Sequence, residues 1–230
     1  MGDEEGHAHE EDVSDEEEEE ELDEANMDPE WLALRAMLQE AREQGLMGNE
    51  GVDAEEDAEQ HDGNEETMLI LQSLFDCTEA GDEEPLTQLL DELKDAALVL
   101  INTPHPSDGD TLIHIASLYG HESLVTLLIE RGAKPGAVNL QDGSTPLHDA
   151  SAGGYLEICE LLIKKAPESV TIADFDKDTP LHCAARGNHV PVVKLLLEHG
   201  ADQSSLNNDG KTPAAEAEDR EVVTILVRKP

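Results

Sequence analysis

A four-residue motif that returns at a nearly fixed interval limits what this chain can fold into. Thr111-Leu112-Ile113-His114 recurs as Thr145-Pro146-Leu147-His148, as Thr179-Pro180-Leu181-His182, and in weaker form as Thr212-Pro213-Ala214-Ala215. Successive threonines are separated by 34, 34 and 33 residues. Threonine is a favourable helix N-cap, and proline fits the first helical turn. The motif therefore predicts that a helix begins at the same point of several similar units.

The rest of each unit keeps the same phase. Gly120 and Gly154 lie nine residues after their threonines, and Asn188 holds that place in the third unit. Asparagine tolerates a left-handed turn better than most residues, so a turn is expected there too. A second apolar helix follows, ending in Leu-Leu-Ile or Leu-Leu-Leu. Asp-Gly pairs before the threonines predict tight turns. One such unit cannot bury its apolar face alone, so the units must stack.

These residues resemble the ankyrin repeat, whose signature is Thr-Pro-Leu-His-x-Ala at a period of about 33 residues. The resemblance is strongest in residues 145–150 and 187–202. It implies an all-α ankyrin-repeat solenoid of helix-turn-helix units joined by β-hairpin-like loops. It also implies that His114, His148 and His182 make hydrogen bonds within and between repeats, which argues against a metal site.

The repeat predicts the domain organisation. We expect a degenerate N-terminal cap over residues 68–104 and a C-terminal cap over residues 206–230. Three regular repeats then cover residues 105–138, 139–172 and 173–205. Residues 1–67 form a separate acidic arm.

The arm differs sharply from the repeats in charge. Residues 1–67 contain 28 acidic and two basic side chains, a net charge of −26, whereas residues 68–230 contain 27 acidic and 12 basic side chains, a net charge of −15. Self-repulsion and the scarcity of apolar residues predict that most of the arm is disordered. Ser14 precedes Asp15 and Glu17, the pattern read by acidophilic kinases, and we expect it to be phosphorylated.

One stretch of the arm, near residues 29–44, has helical periodicity. Asp28 can cap it, and Trp31, Leu34 and Leu38 then recur on one face. Three interpretations of this short amphipathic helix remain open. It docks into a partner through Trp31 and Leu34, it folds back on the repeats, or it is a transient helix without a role.

The charge and the motifs exclude several functions. The chain's net charge of −41 disfavours direct contact with nucleic acid or anionic membranes and favours a basic protein partner. We expect no signal peptide, because the first residues have neither a basic region nor an apolar core, and no transmembrane helix, because no apolar run approaches 18 residues. The three cysteines are far apart in sequence, which fits a reducing cytoplasm or nucleus. No nucleophile constellation or phosphate loop is present, so we expect a monomer that is not an enzyme and has no cofactor or metal.

The resemblance also implies where a partner binds, because ankyrin proteins use their hairpin tips and the concave face of their first helices. The tip candidates are Gln141, Asp142, Phe175, Asp176 and Lys177, and the concave-face candidates are Leu118, Tyr119, Asp149 and Arg186. Ordinary surface variation is the alternative for the concave-face residues. Phe175 is either an exposed anchor or a ring folded over the neighbouring tip. Lys177 replaces a turn glycine, which predicts a hairpin of different shape.

Two functions fit these features. The first is a protein–protein interaction adaptor that binds through tips and concave face, with a regulatory acidic arm. The second is an acidic chaperone or escort for a basic client such as a ribosomal protein or a histone. The strongly charged arm favours the second, although acidic tails also serve solubility alone.

Overall fold

The computed structural model describes residues 61–227, and within them the chain forms eleven α-helices, one short 3-10 helix and no strand. The helices are α1 His61–Ala80, α2 Glu83–Leu93, α3 Asp95–Ile101, α4 Leu112–Leu118, α5 Glu122–Glu130, α6 Pro146–Gly153, α7 Leu156–Lys165, α8 Pro180–Arg186, α9 Val190–Glu198, α10 Pro213–Glu216 and α11 Arg220–Val227. The 3-10 helix is Pro167–Thr171. Of the described residues, 65–227 belong to the unit Glu65–Pro230, and residues 61–64 do not.

The helices are arranged as stacked antiparallel pairs. The first helices α4, α6, α8 and α10 pack side by side, and each also packs against the second helix of its own pair. The second helices α5, α7, α9 and α11 contact one another in the same order. This arrangement confirms the all-α solenoid that the sequence predicts. The prediction that the motif marks the start of a helix is also confirmed, because Thr111, Thr145 and Thr179 each occupy an N-cap.

Each regular first helix begins with a reciprocal capping box between the motif threonine and the motif histidine. The backbone N–H of Thr145 donates to Nδ1 of His148 over 3.1 Å, and Thr179 and His182 repeat the contact at 3.1 Å. The last unit has alanine in place of the histidine, and α10 is only four residues long. The histidine therefore stabilises the start of the first helix.

The turns between paired helices use the left-handed conformation that the sequence predicts. Gly120 and Gly154 have φ values of 78° and 76°, and Asn188 has a φ of 58°. Asn188 also contributes its side chain, because its Oδ1 accepts hydrogen bonds from the backbone N–H groups of Glu218 and Asp219 at 3.0 and 2.7 Å. Asparagine at this position thus joins the third unit to the last one.

A single apolar core runs through the stack from Leu71 to Leu226. Its first-helix layer contains the fully buried alanines Ala116, Ala150 and Ala184, whose small side chains let neighbouring helices pack closely. Its second-helix layer contains buried leucine, isoleucine and valine side chains. Because each unit buries its apolar face against the next, stability depends on the whole array.

Two further observations concern the extent of the fold. None of the helices within residues 61–227 is both long and apolar enough to cross a membrane. The amphipathic helix predicted near residues 29–44 and the predicted disorder of residues 1–60 fall outside the described residues and stay predictions, whereas residues 61–67 of the arm lie within helix α1.

Candidate functional site

Four loops precede the first helices, and we call them the finger loops: residues 105–110, 139–144, 174–178 and 207–211. Each is closed by a backbone hydrogen bond between its end residues, from His105 to Asp110 (2.7 Å), Asn139 to Ser144 (2.8 Å), Asp174 to Asp178 (2.9 Å) and Asn207 to Lys211 (3.0 Å). The first two loops are therefore one residue longer than the last two. Such closed turns hold the tip residues in fixed positions.

The third finger loop corrects one expectation about Lys177. Its φ of 60° is left-handed, as are those of Gly109, Gly143 and Gly210 at the same place in the other loops. The loop does differ from the two before it, since its closing hydrogen bond spans one residue fewer. The fourth loop has that same tighter closure with a glycine. The shape therefore follows from loop length, and the lysine is not its cause.

Hydrogen bonds join the finger loops to one another. The side-chain amide of Asn139 donates to the Asp108 carbonyl at 2.9 Å. The Phe175 N–H donates to the Asp142 carbonyl at 2.8 Å, and the Asn208 N–H donates to the Asp176 carbonyl at 2.8 Å. The loops thus form a continuous ribbon along the stack, which limits the independent movement of each tip.

Phe175 combines both interpretations that the sequence leaves open. One edge of its ring covers the preceding finger loop so closely that a Cβ added to Gly143 would lie 2.7 Å from the ring. The side chain is nevertheless 63% exposed. Phe175 is therefore a positioned aromatic ring that still presents most of its surface to solvent.

The other predicted tip residues lie beside this ring. Gln141, Asp142, Asp176 and Lys177 are all exposed. The side chain of Gln141 sits against Gly109 of the preceding loop, as Phe175 sits against Gly143. The finger-loop candidates thus share one edge of the fold.

The sequence reading missed two apolar residues at this edge. Leu140 is 59% exposed within the second finger loop, and Leu206 is 56% exposed just before the fourth. Together with Phe175 they place an exposed apolar side chain at three consecutive loops, and we call these three residues the finger edge. Leu140 and Phe175 each follow the first closing residue of their loop, whereas Leu206 precedes its own, so no fixed spacing in the sequence reveals this series.

Two predicted residues, Leu118 and Tyr119, lie at the end of α4. Both are exposed. The Tyr119 hydroxyl donates to Oε1 of Glu79 at 2.8 Å, and its ring stacks on His121 with centroids 6.2 Å apart. Tyr119 is therefore held in place by contacts with the neighbouring unit, and Leu118 is the freer of the two.

Arg186 already has two acidic partners within the fold. Its guanidinium donates to Oδ2 of Asp178 and, over 3.1 Å, to Oε2 of Glu216. Lys211 also lies 3.1 Å from Glu216. Lys211 and then Arg186 lower the pKa of Glu216, so this carboxylate is well compensated. The guanidinium is half-exposed and ties the third unit to the last one.

Asp149 lacks such compensation. It occupies the fourth position after its threonine, as Glu216 does in the last unit. Its Oδ2 is buried and has no hydrogen-bond partner among the described residues. Burial raises the pKa of Asp149 well above its usual value, and the charges of Asp110 and Asp142 raise it further. The side chain lies on α6 in a locally negative environment.

The motif histidines are structural. His148 Nε2 donates to the Asp178 carbonyl at 3.2 Å, and His182 Nε2 donates to the Lys211 carbonyl at 3.3 Å. Burial lowers the pKa of His114 and of His148 to about 4. Both imidazoles are therefore neutral near pH 7. Within residues 61–227 no three His, Cys, Asp or Glu side chains are grouped as metal ligands.

Cys159 lies on α7 and Cys183 lies on α8. Burial raises the pKa of each thiol to about 12. A thiol that stays protonated at neutral pH is a weak nucleophile, so neither cysteine has the chemistry of a catalytic residue.

Comparison with known families decides the assignment. The family model described as ankyrin repeats (3 copies) matches residues 74–174 and again residues 167–230. The chain belongs to the ankyrin repeat family. A search of curated proteins gave no match.

Ankyrin repeats are in general protein–protein interaction modules, and the family is typically non-catalytic. The finger loops and the exposed residues of α4, α6 and α8, here called the first-helix face, are therefore the candidate binding surface of this ankyrin stack. The predicted repeat boundaries stay predictions. Trp31, Leu34 and Ser14 lie outside the described residues.

Proposed function

We propose that this ankyrin stack is a non-catalytic adaptor that binds one protein partner through its finger loops and first-helix face. The observation that carries the proposal is Phe175, an aromatic ring held against Gly143 and still 63% exposed. Aromatic side chains that are fixed before binding lose little conformational entropy, and they are frequent among the residues that dominate binding energy. Leu140 and Leu206 extend the same apolar edge.

The linked finger loops support this proposal. A ribbon of hydrogen bonds between loops fixes the spacing of Gln141, Asp142, Phe175, Asp176 and Lys177 before a partner arrives. Preorganised surfaces bind more tightly because less ordering is required on contact. Leu118, Tyr119, Asp149 and Arg186 would contribute from the first-helix face.

A second function, an acidic chaperone for a basic client, is favoured by the charge distribution. The arm of residues 1–67 has a net charge of −26, and residues 68–230 add −15. Such a field attracts a basic partner and speeds its association in a salt-dependent way. In this version the arm shields the client's basic surface while the stack binds a specific element. In either version we expect a monomer in the cytoplasm or nucleus. The three interpretations of the Trp31 helix stay open, and phosphorylation of Ser14 would add negative charge to an already acidic arm.

Affinity capture from cell lysate, read by quantitative mass spectrometry, tests the adaptor against the chaperone. Three full-length baits are compared at low and moderate salt: the natural chain, Phe175→Ser, and a chain whose acidic run at residues 15–21 is replaced by Asn and Gln. The adaptor function predicts partners that survive salt and the arm substitution but are lost with Phe175→Ser. Basic partners lost with salt and with the arm substitution would instead favour the chaperone. If no protein is enriched by the natural chain over Phe175→Ser under any condition, the adaptor proposal fails.

A further inference from the structure

Two acidic residues occupy the same position in two repeats and have opposite surroundings. Asp149 and Glu216 each lie four residues after the motif threonine, on first helices α6 and α10. Glu216 contacts both Arg186 and Lys211, each at 3.1 Å. Among the ion pairs of residues 61–227, none involves Asp149. In the last unit the carboxylate at this position therefore has two cations beside it. In the second regular repeat the carboxylate of Asp149 has none among the described residues.

The environment of Asp149 makes the missing cation costly. Its Oδ2 is buried without a hydrogen-bond partner, and the nearby charged groups Asp110 and Asp142 are both negative. A carboxylate withdrawn from water needs hydrogen bonds or an opposite charge to be stable in its ionised form. In the isolated stack Asp149 has neither within the part of the chain that the structure describes.

The fold cannot supply the cation from the nearest arginine. Arg186 lies one repeat further along, but its guanidinium is already bound to Asp178 and Glu216. Releasing it would leave Asp178 without its cation and Glu216 with Lys211 alone. The remaining exposed part of Asp149, on the first-helix face, is therefore where an external cation can reach the carboxylate.

We propose that Asp149 is the acceptor for an arginine side chain of the protein partner, which would enter the first-helix face beside the finger loops. This inference rests on the proposed adaptor function and specifies the chemistry of the partner. Arginine is preferred over lysine because its guanidinium is planar and more weakly hydrated than an ammonium group, so it enters a partly buried ion pair at a lower desolvation cost. The pair that Arg186 makes with Asp178 and Glu216 is the same chemistry within this chain. Asp110 and Asp142 would add longer-range attraction.

The test uses the full-length chain and two defined probes. One is the acetylated and amidated peptide Leu-Arg-Leu, and the other is the same peptide with citrulline, which has nearly the same shape as arginine and no charge. The carboxyl carbons of aspartate are labelled with ¹³C, and binding is followed by NMR for the natural chain, Asp149→Asn and Glu160→Gln. Glu160 is exposed on the second helix α7 of the same repeat, so its variant removes the same charge elsewhere.

The arginine peptide should move the Asp149 carboxyl signal to saturation and lower the pKa of Asp149 by about one unit or more, because a guanidinium stabilises the ionised form. The citrulline peptide should bind with an affinity lower by about tenfold or more, since the charge-assisted hydrogen bonds are lost. Asp149→Asn should lower the affinity for the arginine peptide to the same degree, and Glu160→Gln should leave that affinity unchanged.

Three results would overturn the inference: equal affinity for both peptides, equal affinity of the natural chain and Asp149→Asn, or no shift of the Asp149 carboxyl with the arginine peptide. A response of that carboxyl to magnesium chloride but not to the peptide would also overturn it, in favour of a cation site. These failures differ from failure of the adaptor function, which is judged by the Phe175→Ser capture experiment. Partners lost with Phe175→Ser but retained by Asp149→Asn would leave the adaptor standing without the arginine acceptor.

Discussion

The backbone N–H of Phe175 donates a 2.8 Å hydrogen bond to the carbonyl of Asp142, which joins the tips of two consecutive finger loops. The same pairing places the ring of Phe175 over Gly143. An exposed aromatic ring would ordinarily sample several rotamers, but here both its backbone and one ring edge are held. The proposed binding surface is therefore ordered before a partner arrives.

Replacing Phe175 by serine should separate binding from stability. Because the side chain is 63% exposed, we expect the free energy of unfolding to fall by about 1 kcal/mol or less. Partner retention in affinity capture should fall about tenfold or more, as for an aromatic residue at the centre of an interface. Leu69→Ser is the matched control, because Leu69 is 69% exposed on α1 and belongs to none of the finger loops. Equal losses for the two variants would contradict the assigned role of Phe175.

Replacing Asp149 and replacing Asp178 by asparagine should change the free energy of unfolding in opposite directions. Asp149→Asn removes an uncompensated carboxyl whose pKa is raised by burial, so at pH 7, above the unfolded pKa, the free energy of unfolding should rise. Asp178→Asn removes the negative charge and the oxygen that binds Arg186, and it leaves a single oxygen to accept from the Asn207 amide, which donates at 2.8 Å; the free energy of unfolding should fall by about 1–3 kcal/mol. Urea denaturation of both full-length variants measures the difference.

The pH dependence of the Asp149 effect follows from the direction of its pKa shift. The folded-state pKa lies above the unfolded value of 3.8, so the natural carboxyl disfavours folding only once it ionises. The advantage of Asp149→Asn should therefore be full above the folded pKa and disappear below the unfolded one. An advantage that persists in strong acid would show that charge is not its cause.

Acidification should destabilise the stack through its buried histidines. The pKa of His148 is about 4 in the fold, against 6.5 when unfolded, so protonation favours the unfolded chain. The contribution of the neutral imidazole is present above pH 6.5 and is lost as pH falls towards 4. At pH 5 the loss is about 2 kcal/mol for His148, by linkage.

Replacing His148 isolates the contribution of its protonation to the loss of stability in acid. His148→Gln should lower stability at pH 7 and should reduce the additional loss between pH 7 and pH 5 by about 2 kcal/mol, measured by urea denaturation. The control is His199→Gln, because His199 is exposed at the end of α9. If the free energy of unfolding fell between pH 7 and pH 5 by the same amount in both variants as in the natural chain, protonation of His148 would not account for the acid sensitivity.

The left-handed residue of the finger loops gives a prediction about backbone strain. Gly143 has a φ of 79° and also lies under the Phe175 ring, so Gly143→Ala should cost about 1–2 kcal/mol. Lys177 holds the equivalent place with a φ of 60°, and Lys177→Gly should be neutral or stabilising by up to about 1 kcal/mol. Thermal unfolding of both variants tests this. A Lys177→Gly variant as unstable as Gly143→Ala would show that the lysine side chain, and not the backbone, governs the loop.

The sequence predicts the repeated parts of this fold well because they depend on local chemistry. The threonine caps, the left-handed Asn188 and the apolar second helices are all encoded within a few residues of each other. The decisive features of the site depend on contacts between repeats. That Arg186 is bound by Asp178 and Glu216, and that Asp149 has no such partner, requires knowing which side chains meet about 30 residues apart in sequence. The finger edge was missed because its three residues lie at different distances before their threonines, five residues for Leu140, four for Phe175 and six for Leu206.

Site-specific photo-crosslinking tests most directly the claim that a partner binds at the finger loops. Benzoylphenylalanine is placed at Phe175 in one full-length chain and at Glu160 in another, each is irradiated in lysate, and adducts are identified by mass spectrometry. Glu160 is exposed on the second helix α7, so the two probes compare the proposed surface with the opposite helix layer. The account predicts one or a few discrete protein adducts from position 175 and none of these from position 160. The same adducts from both positions, or discrete adducts from position 160 alone, would contradict it.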